Sequence, residues 1–434
     1  MLVDLSYVAT EQKGTAYENI ENLVLEEQYE RLLQGMIHAA LVVKNNKEAI
    51  LTAVKRVQQQ WKNIPIQKKW LYIAGAGTSG RLAAITAVEM MGNEQFHTSF
   101  DMAGGSLAFQ IAVEGAEDND DLAKADAFHR NMDQNTIVIG LSASGRTPYA
   151  ITYLKEAKTK GALTIAIDNS PDSQLSKAAD LTISNNTGPE CPRGSTRMKA
   201  GTSQYITLKL FKRLLDHDDV PHSFDRYIKD LEYELLSVKK FQDGFLKSAR
   251  HLYSHITNSK GHIIYVGQGT RGLLGVIDGS ELGPTYSWTR VAYDTPALSK
   301  ILDKPVQPSI ISPHDFVIFL DEKIETPCPQ VDLSRYSDVT ANIMLKILTT
   351  LFALQSKWIL EGEMLHLDPK NPNKKLVARR VQILKNLSIA QTDQQALEIL
   401  KIVHNDLVLA VNLRSNSSLK TVQCDLVQRQ SDVL

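Results

Sequence analysis

Cysteine is scarce in this chain: Cys191, Cys328 and Cys424 are the only three in 434 residues, far apart and with no CxxC pair. Nothing here builds a disulfide framework or a cysteine metal site, and the pattern fits a reducing compartment in which these thiols are small structural side chains. Net charge is equally small. With 48 basic and 49 acidic residues the balance is -1, so no global field attracts a polyanion and nucleic acid is not an expected partner. The opening MLVDLSYVATEQKG has neither a basic start nor an apolar run, so no signal peptide is expected. The longest apolar helical candidate, 341–360, is interrupted by Lys346, Gln355 and Lys357 and reads as a core helix, not a membrane span. Together these absences point to a soluble cytoplasmic protein, long enough for two or three domains with their own cores.

What is present is an alternation. Residues 17–60 read as helices, with Ile20, Leu23, Leu25 and Leu32 near helical spacing. From Trp70 short apolar runs take over, LYIAG, TIVIGL at 136–141, LTIAID at 163–168 and LTIS at 181–184, separated by helical stretches. That texture marks an α/β protein with a mostly parallel sheet covered by helices. A helix near 200–216, the polar connection HDDVPHS and a helix over 226–256 lead to a second cycle. In it HIIYVG (262–267) and DFVIFLDE (315–322) read as strands and a long helix from about 340 closes the half. The tail after PKNPNKKL, with amphipathic VARRVQIL and ALEILKIV, reads as a small helical region. The expected division is a helical segment over 1–60, α/β domains over 61–220 and 221–362, and a helical cap over 363–434.

The two cycles are copies. Placing Gly75 on Gly267 brings Gly77 onto Gly269, Thr78 onto Thr270, Gly80 onto Gly272, Leu82 onto Leu274 and Glu89 onto Glu281 at one constant offset. A fold duplicated in this way can pair with itself as an internal pseudo-dimer, the intramolecular counterpart of an isologous homodimer; association of whole chains is left open.

LYIAGAGTSGRL reads as strand, glycine turn and helix start, with Gly75, Gly77 and Gly80 in GxGxxG spacing. A dinucleotide fold would use these glycines with an acidic residue further on, for which Asp101 is available. Thr78 and Ser79 favour another ligand: hydroxyls among the free N–H groups of a helix start, running into Gly80, suit a terminal phosphate. A second hydroxyl-rich turn follows TIVIGL, with Ser142, Ser144, Gly145, Arg146 and Thr147. In a parallel sheet such turns leave the same carboxyl edge and can converge on one anion. The plainer reading, an N-cap at Thr147 before Pro148, leaves two serines unexplained. The second copy carries Arg271 where the first has Ser79, and nothing like SASGRT follows DFVIFLDE, so one complete site per chain is expected. Glu114, Glu117 and the aspartates after them read, on pattern alone, as a solvated acidic loop.

GAGTSGRL, AGG followed by EGAED, SASGRTPY, and GPE followed by GSTRMKAGT resemble, in that order, the bacterial N-acetylmuramic acid 6-phosphate etherases over essentially the whole first domain. TEQ at 10–12 and NKKL followed by RRVQIL resemble that family's terminal pieces. The repeat, with DGSE at 278–281, resembles the two-domain glucokinase regulatory proteins, which bind fructose phosphates. The resemblance implies two sugar isomerase-type (SIS) phosphosugar-binding domains with flavodoxin-like sheets. It implies that Ser79, Ser144, Gly145 and Thr147 hold phosphate, and that Asn373 and Lys375 reach the sugar phosphate from the tail. It further implies that Glu117 is a catalytic base and that Glu281, with Glu89 as the alternative, is the acid. No metal or other cofactor is expected. The motif after the family's first glutamate, Cys-Pro-Pro-Thr, is Met90, Met91, Gly92 after Glu89 but Leu282, Gly283, Pro284, Thr285 after Glu281, so the second copy is nearer the pattern.

Two carboxylates fit elimination of a lactyl ether, one removing the proton at C2 of the open-chain sugar and one protonating the oxygen leaving C3. The implied activity is a carbon-oxygen lyase in amino-sugar and cell-wall recycling. The alternatives are a non-catalytic hexose-phosphate sensor that regulates a sugar kinase, and a phosphosugar isomerase with a single base.

Overall fold

The computed structural model describes residues 8–12, 14–286, 291–294, 301–302, 311–321, 325–370 and 374–415. Two helices, α1 (Leu25–Asn45) and α2 (Lys47–Trp61), come first. Each buries one stripe, Tyr29, Leu32, Leu33, Met36, Ala40 and Val43 on α1 and Ile50, Val54, Val57 and Trp61 on α2, as three- and four-residue spacing requires.

The first α/β half follows as β1 (Trp70–Gly75), α3 (Gly77–Met90), β2 (His97–Met102), α4 (Asp120–His129), β3 (Thr136–Ser142), α5 (Pro148–Thr159), β4 (Leu163–Asp168), α6 (Gln174–Ala178) and β5 (Leu181–Ser184). Its pairings are all parallel, in the order β2-β1-β3-β4-β5. This is the flavodoxin-like winding, whose ligand crevice opens where the connections from β1 and β3 diverge. Both β3 and β4 are buried along their whole length because helices cover both faces, and so they read as unbroken apolar runs. Edge strand β2, HTSFDM, lacks such a run and escaped the sequence reading.

Helix α7 (Lys199–Leu215) leads to α8 (Val220–Ser237) and α9 (Gln242–Ser259). One helix was expected over 226–256. The structure has two, separated by a 3-10 turn over Val238–Phe241, and α8 begins inside the polar connection because the Asp219 carboxylate accepts from the His222 N–H and caps it. The second half contains β6 (Ile263–Val266), α10 (Gly269–Tyr286), β7 (Val291–Asp294), β8 (Phe316–Phe319), β9 (Gln330–Asp332) and α11 (Asp338–Gln355), with parallel order β7-β6-β8-β9. That order repeats the first four strands of the first sheet, β2-β1-β3-β4. Backbone geometry repeats too: Gly77 and Gly269 turn at φ of 53° and 51°, a region open to glycine at little cost. The tail forms α12 (Lys374–Asn386), α13 (Asp393–Ile402) and α14 (Leu407–Ser415). No helix among the described residues is long and apolar enough to cross a membrane.

Helices α3 and α10, which open the two halves, pack on one another, and α11 runs between α1, α7 and α10 with every residue from Val339 to Leu354 buried. Inside this junction lies an ion pair, Arg197 with Asp278, each side chain 2% exposed. The Tyr265 and Thr349 hydroxyls donate to Asp278 at 2.9 and 3.1 Å, while Arg197 donates to the Thr349 and Thr350 hydroxyls at 3.2 and 3.1 Å. Arg197 comes from GSTRMKAGT and Asp278 from DGSE, so two sequence motifs meet as one buried contact. A buried pair loses most when one partner is removed and a charge is left alone. Asp278→Ala should therefore lower unfolding free energy by about 3–5 kcal/mol in urea titration, whereas the double variant Arg197→Met/Asp278→Leu should recover most of that loss.

Candidate functional site

In the parallel register Gly75 stands opposite Leu141, so the chain leaves β1 and β3 side by side at one sheet edge. From β1 it enters α3 through Gly77, whose first-turn N–H groups face outward at the positive end of the helix. A cavity of about 180 Å³ opens beside this exit. Its walls are Ala76, Gly77, Thr78 and Arg81, the segment after β2 that includes Ala103, Ala108, Val113, Glu114 and Glu117, the stretch Gly194, Ser195 and Thr196, then Glu281 of α10, and Leu376 and Arg379 of α12.

Four of the sequence candidates thus share one cavity: Gly77, Thr78, Glu117 and Glu281. Glu281 crosses from the second half. The Thr78 hydroxyl donates to its Oε1 at 2.6 Å, and Arg81 Nη1 reaches the same oxygen at 2.7 Å. Glu89, its repeat partner, does not line this cavity. Its carboxylate is buried against Lys209 at 3.0 Å and Lys212 at 3.4 Å, and the Tyr205 hydroxyl donates to it at 3.3 Å. Lys209 continues to Asp338 at 2.8 Å, and Arg271 to Asp338 at 3.0 Å and to the Leu320, Ser334 and Tyr336 carbonyls. Protein cations therefore occupy the region where the second half would need space for an anion.

Ser79 points inward. It is buried, and its hydroxyl donates to Gln204 Oε1 at 2.8 Å; Gln204 donates to Asn169 Oδ1 at 3.0 Å, and the Asn169 N–H to the Ala143 carbonyl at 3.1 Å. One hydrogen-bonded chain so ties the first turn to the second. Ser142 and Thr147 share a hydroxyl contact at 2.8 Å, and Ser144 Oγ accepts from the Arg146 N–H. Gly145 is required by space, since a Cβ there would lie 2.2 Å from Ser173 Cβ at a φ of 63°. Ser79, Gly80, Ser142, Ser144, Gly145 and Thr147 are not lining residues of the cavity. Asn373 and the Lys375 side chain lie outside the described residues. No group of acidic, histidine or cysteine side chains among the described residues is arranged to hold a metal ion.

Sequence reasoning missed Arg81, Arg379 and the Ser195–Thr196 wall. Arg81 lies inside the quoted GAGTSGRL, and Arg379 opens RRVQIL; both were visible, without a sign of where they point. Arg379 donates to Glu11 of the TEQ piece and to the Gly194 carbonyl, each at 2.7 Å, so the TEQ and RRVQIL pieces meet beside the cavity. Glu190, of GPE, accepts from the Lys199 and Ala200 N–H groups, both at 2.8 Å, and caps α7; burial lifts its carboxyl to about 7, against the pull of Lys199 and those N–H groups.

Behind Glu281 lies Lys346, fully buried, its ammonium donating to the Thr202 hydroxyl at 3.0 Å. Burial first, then repulsion from Arg197, bring it from 10.5 to about 7, against attraction from Asp278, Glu190 and Glu281. In the unfolded chain the lysine stays protonated to its ordinary value. Between about 7 and 10.5 the unfolded state therefore binds the extra proton, and stability from this group rises with pH. Its cost is complete below about 7 and fades toward 10.5. Lys346→Met should stabilise the chain at pH 6, by at most on the order of 5 kcal/mol, and that gain should shrink steadily between pH 7 and 10 in denaturant titrations.

Comparison with known proteins agrees with this architecture. Residues 120–212 match the SIS domain family model, and residues 50–158 match that of the glucokinase regulatory protein N-terminal SIS domain. Solved structures with the same fold include the C-terminal domain of glucosamine-fructose-6-phosphate aminotransferase from Francisella tularensis (TM-score 0.50, 15% identity, 74% of this chain and 94% of that one). A proposed tagatose-6-phosphate ketose/aldose isomerase from Clostridium novyi NT superposes with a TM-score of 0.56 at 10% identity, over 81% of this chain and 95% of that one. Fold and edge site together define a protein of the SIS class. The chain is 37% identical over 211 residues to the N-acetylmuramic acid 6-phosphate etherase of Lactobacillus gasseri, which is 48% of this chain and 70% of that protein. To the etherase of Bacillus mycoides it is 37% identical over 209 residues, 48% of this chain and 70% of that protein. The chain belongs to the N-acetylmuramic acid 6-phosphate etherase family.

Proposed function

We propose that this protein is a cytoplasmic carbon-oxygen lyase that cleaves the lactyl ether of N-acetylmuramic acid 6-phosphate, giving N-acetylglucosamine 6-phosphate and lactate. The observation that carries the reading is the meeting of Glu117 and Glu281, from opposite halves, across one cavity beside the glycine turn. Kinship with the etherases supplies the substrate.

Glu117 takes the proton from C2 beside the open-chain aldehyde, and Glu281 gives one to the ether oxygen as the C3–O bond breaks. Lactate departs, and water added across the new double bond restores the hydroxyl at C3. Ser144, Gly145 and Thr147 hold the phosphate, with Asn373 and Lys375 approaching from the tail, while Ser79, its hydroxyl given to Gln204, braces the first turn from behind. Adjacent strand exits and the Ser79–Gln204–Asn169–Ala143 chain support the two turns as one cradle. The position of Glu89 among Lys209 and Lys212 supports Glu281 as its partner in chemistry.

A second reading has its own observation: the match to the glucokinase regulatory N-terminal SIS domain, with two SIS-like halves in one chain, suits a hexose-phosphate sensor acting on a sugar kinase. Incubation with N-acetylmuramic acid 6-phosphate separates the two. Lactate release is expected; no lactate, alongside thermal stabilisation by fructose phosphates, would favour the sensor. Glu117→Gln should reduce turnover on the order of 10²–10⁴-fold while the Kd for N-acetylglucosamine 6-phosphate, read by calorimetry, stays nearly constant.

A further inference from the structure

We infer that Arg81 is a positioning residue that fixes Glu281 against the segment bearing Glu117, so that one guanidinium sets the separation of two carboxylates across the cavity. The inference rests on the reading above in one respect, that these carboxylates act on one substrate. Arg81 is 3% exposed and lines the cavity. Its Nη1 donates to Glu281 Oε1 at 2.7 Å, and its Nε donates to the Phe109 carbonyl at 3.0 Å. Phe109 is fully buried and ends the 3-10 turn Ser106–Phe109, from which the chain runs on to Glu117. The guanidinium is planar with its donors at fixed angles, so a contact made through Nη1 and Nε transmits a direction as well as an attraction. Thr78, three residues earlier and hence on the same helix face, donates to the same Glu281 oxygen and completes the clamp.

The duplicate half supports the assignment independently. Under the repeat alignment Thr78 has its counterpart in Thr270, but Arg81 is replaced by Leu273, which is fully buried. Glu89, the counterpart of Glu281, is held by Lys209, Lys212 and Tyr205 of α7. The arginine thus stands only in the half whose glycine turn borders the cavity, and Glu89, away from the cavity, takes its cations from α7 instead.

The test uses the full chain. In Arg81→Ala, kcat for lactate release should fall at least about 100-fold while the Kd for N-acetylglucosamine 6-phosphate changes less than about threefold. Millimolar guanidinium should restore part of the rate in that variant and none in Arg81→Lys, whose ammonium lacks the fork. A crystal structure of either variant should show the Glu281 carboxylate or the 109–117 segment displaced. Should the alanine variant fail to fold, Arg81→Lys carries the same kcat and Kd comparison. Retained kcat, or loss without guanidinium rescue, overturns the inference. A wild-type chain that releases no lactate defeats the functional reading instead; the variant's crystal structure then decides, and unmoved carboxylates overturn the role given to Arg81.

Discussion

The buried contact between Arg197 and Asp278 ties the two halves together behind the composite cavity. Neither charge could remain in the interior alone, and each is supplied by a different half of the chain. Asp278 lies three residues before Glu281, within one helical turn. The pair that locks α10 to the first half therefore also delivers the glutamate to the cavity wall. Thr349 and Thr350 hold the same arginine from α11, so the junction is bound from three directions.

Duplication explains why such a junction exists. A half with this winding has an edge crevice and a helix whose end projects away from it, and two halves placed face to face exchange helix ends. One exchange is open here, with Glu281 beside the glycine turn of the first half. The other is closed by Lys209, Arg271 and Asp338, which satisfy Glu89 and one another. Where the first copy has Ser79 the second has Arg271, a cation held by three carbonyls and by the carboxylates of Asp338 and Asp321.

Much of the fold was legible because it is written in local patterns. Buried parallel strands β3 and β4 are continuous apolar runs, and the glycines of both turns are imposed by backbone conformation. Strands β2, β7 and β9 were not legible, being short edge segments of mixed composition such as HTSFDM and QVD. The site was half legible. Thr78 was picked out for its hydroxyl, yet that hydroxyl is given to a glutamate 203 residues away, and Ser79 turns to Gln204.

The amino-acid sequence by itself determined the two α/β cycles, their common ancestry, the hydroxyl-rich turns and the family, since each is carried by residues close together in the chain. Only the tertiary structure decided which repeat glutamate borders the cavity, that Arg81 grips it, and that Glu11 of the TEQ piece meets Arg379 of the cavity wall. The physical reason is that these are contacts between distant segments. A side chain's direction there follows from how two halves pack, and no spacing within either half encodes it.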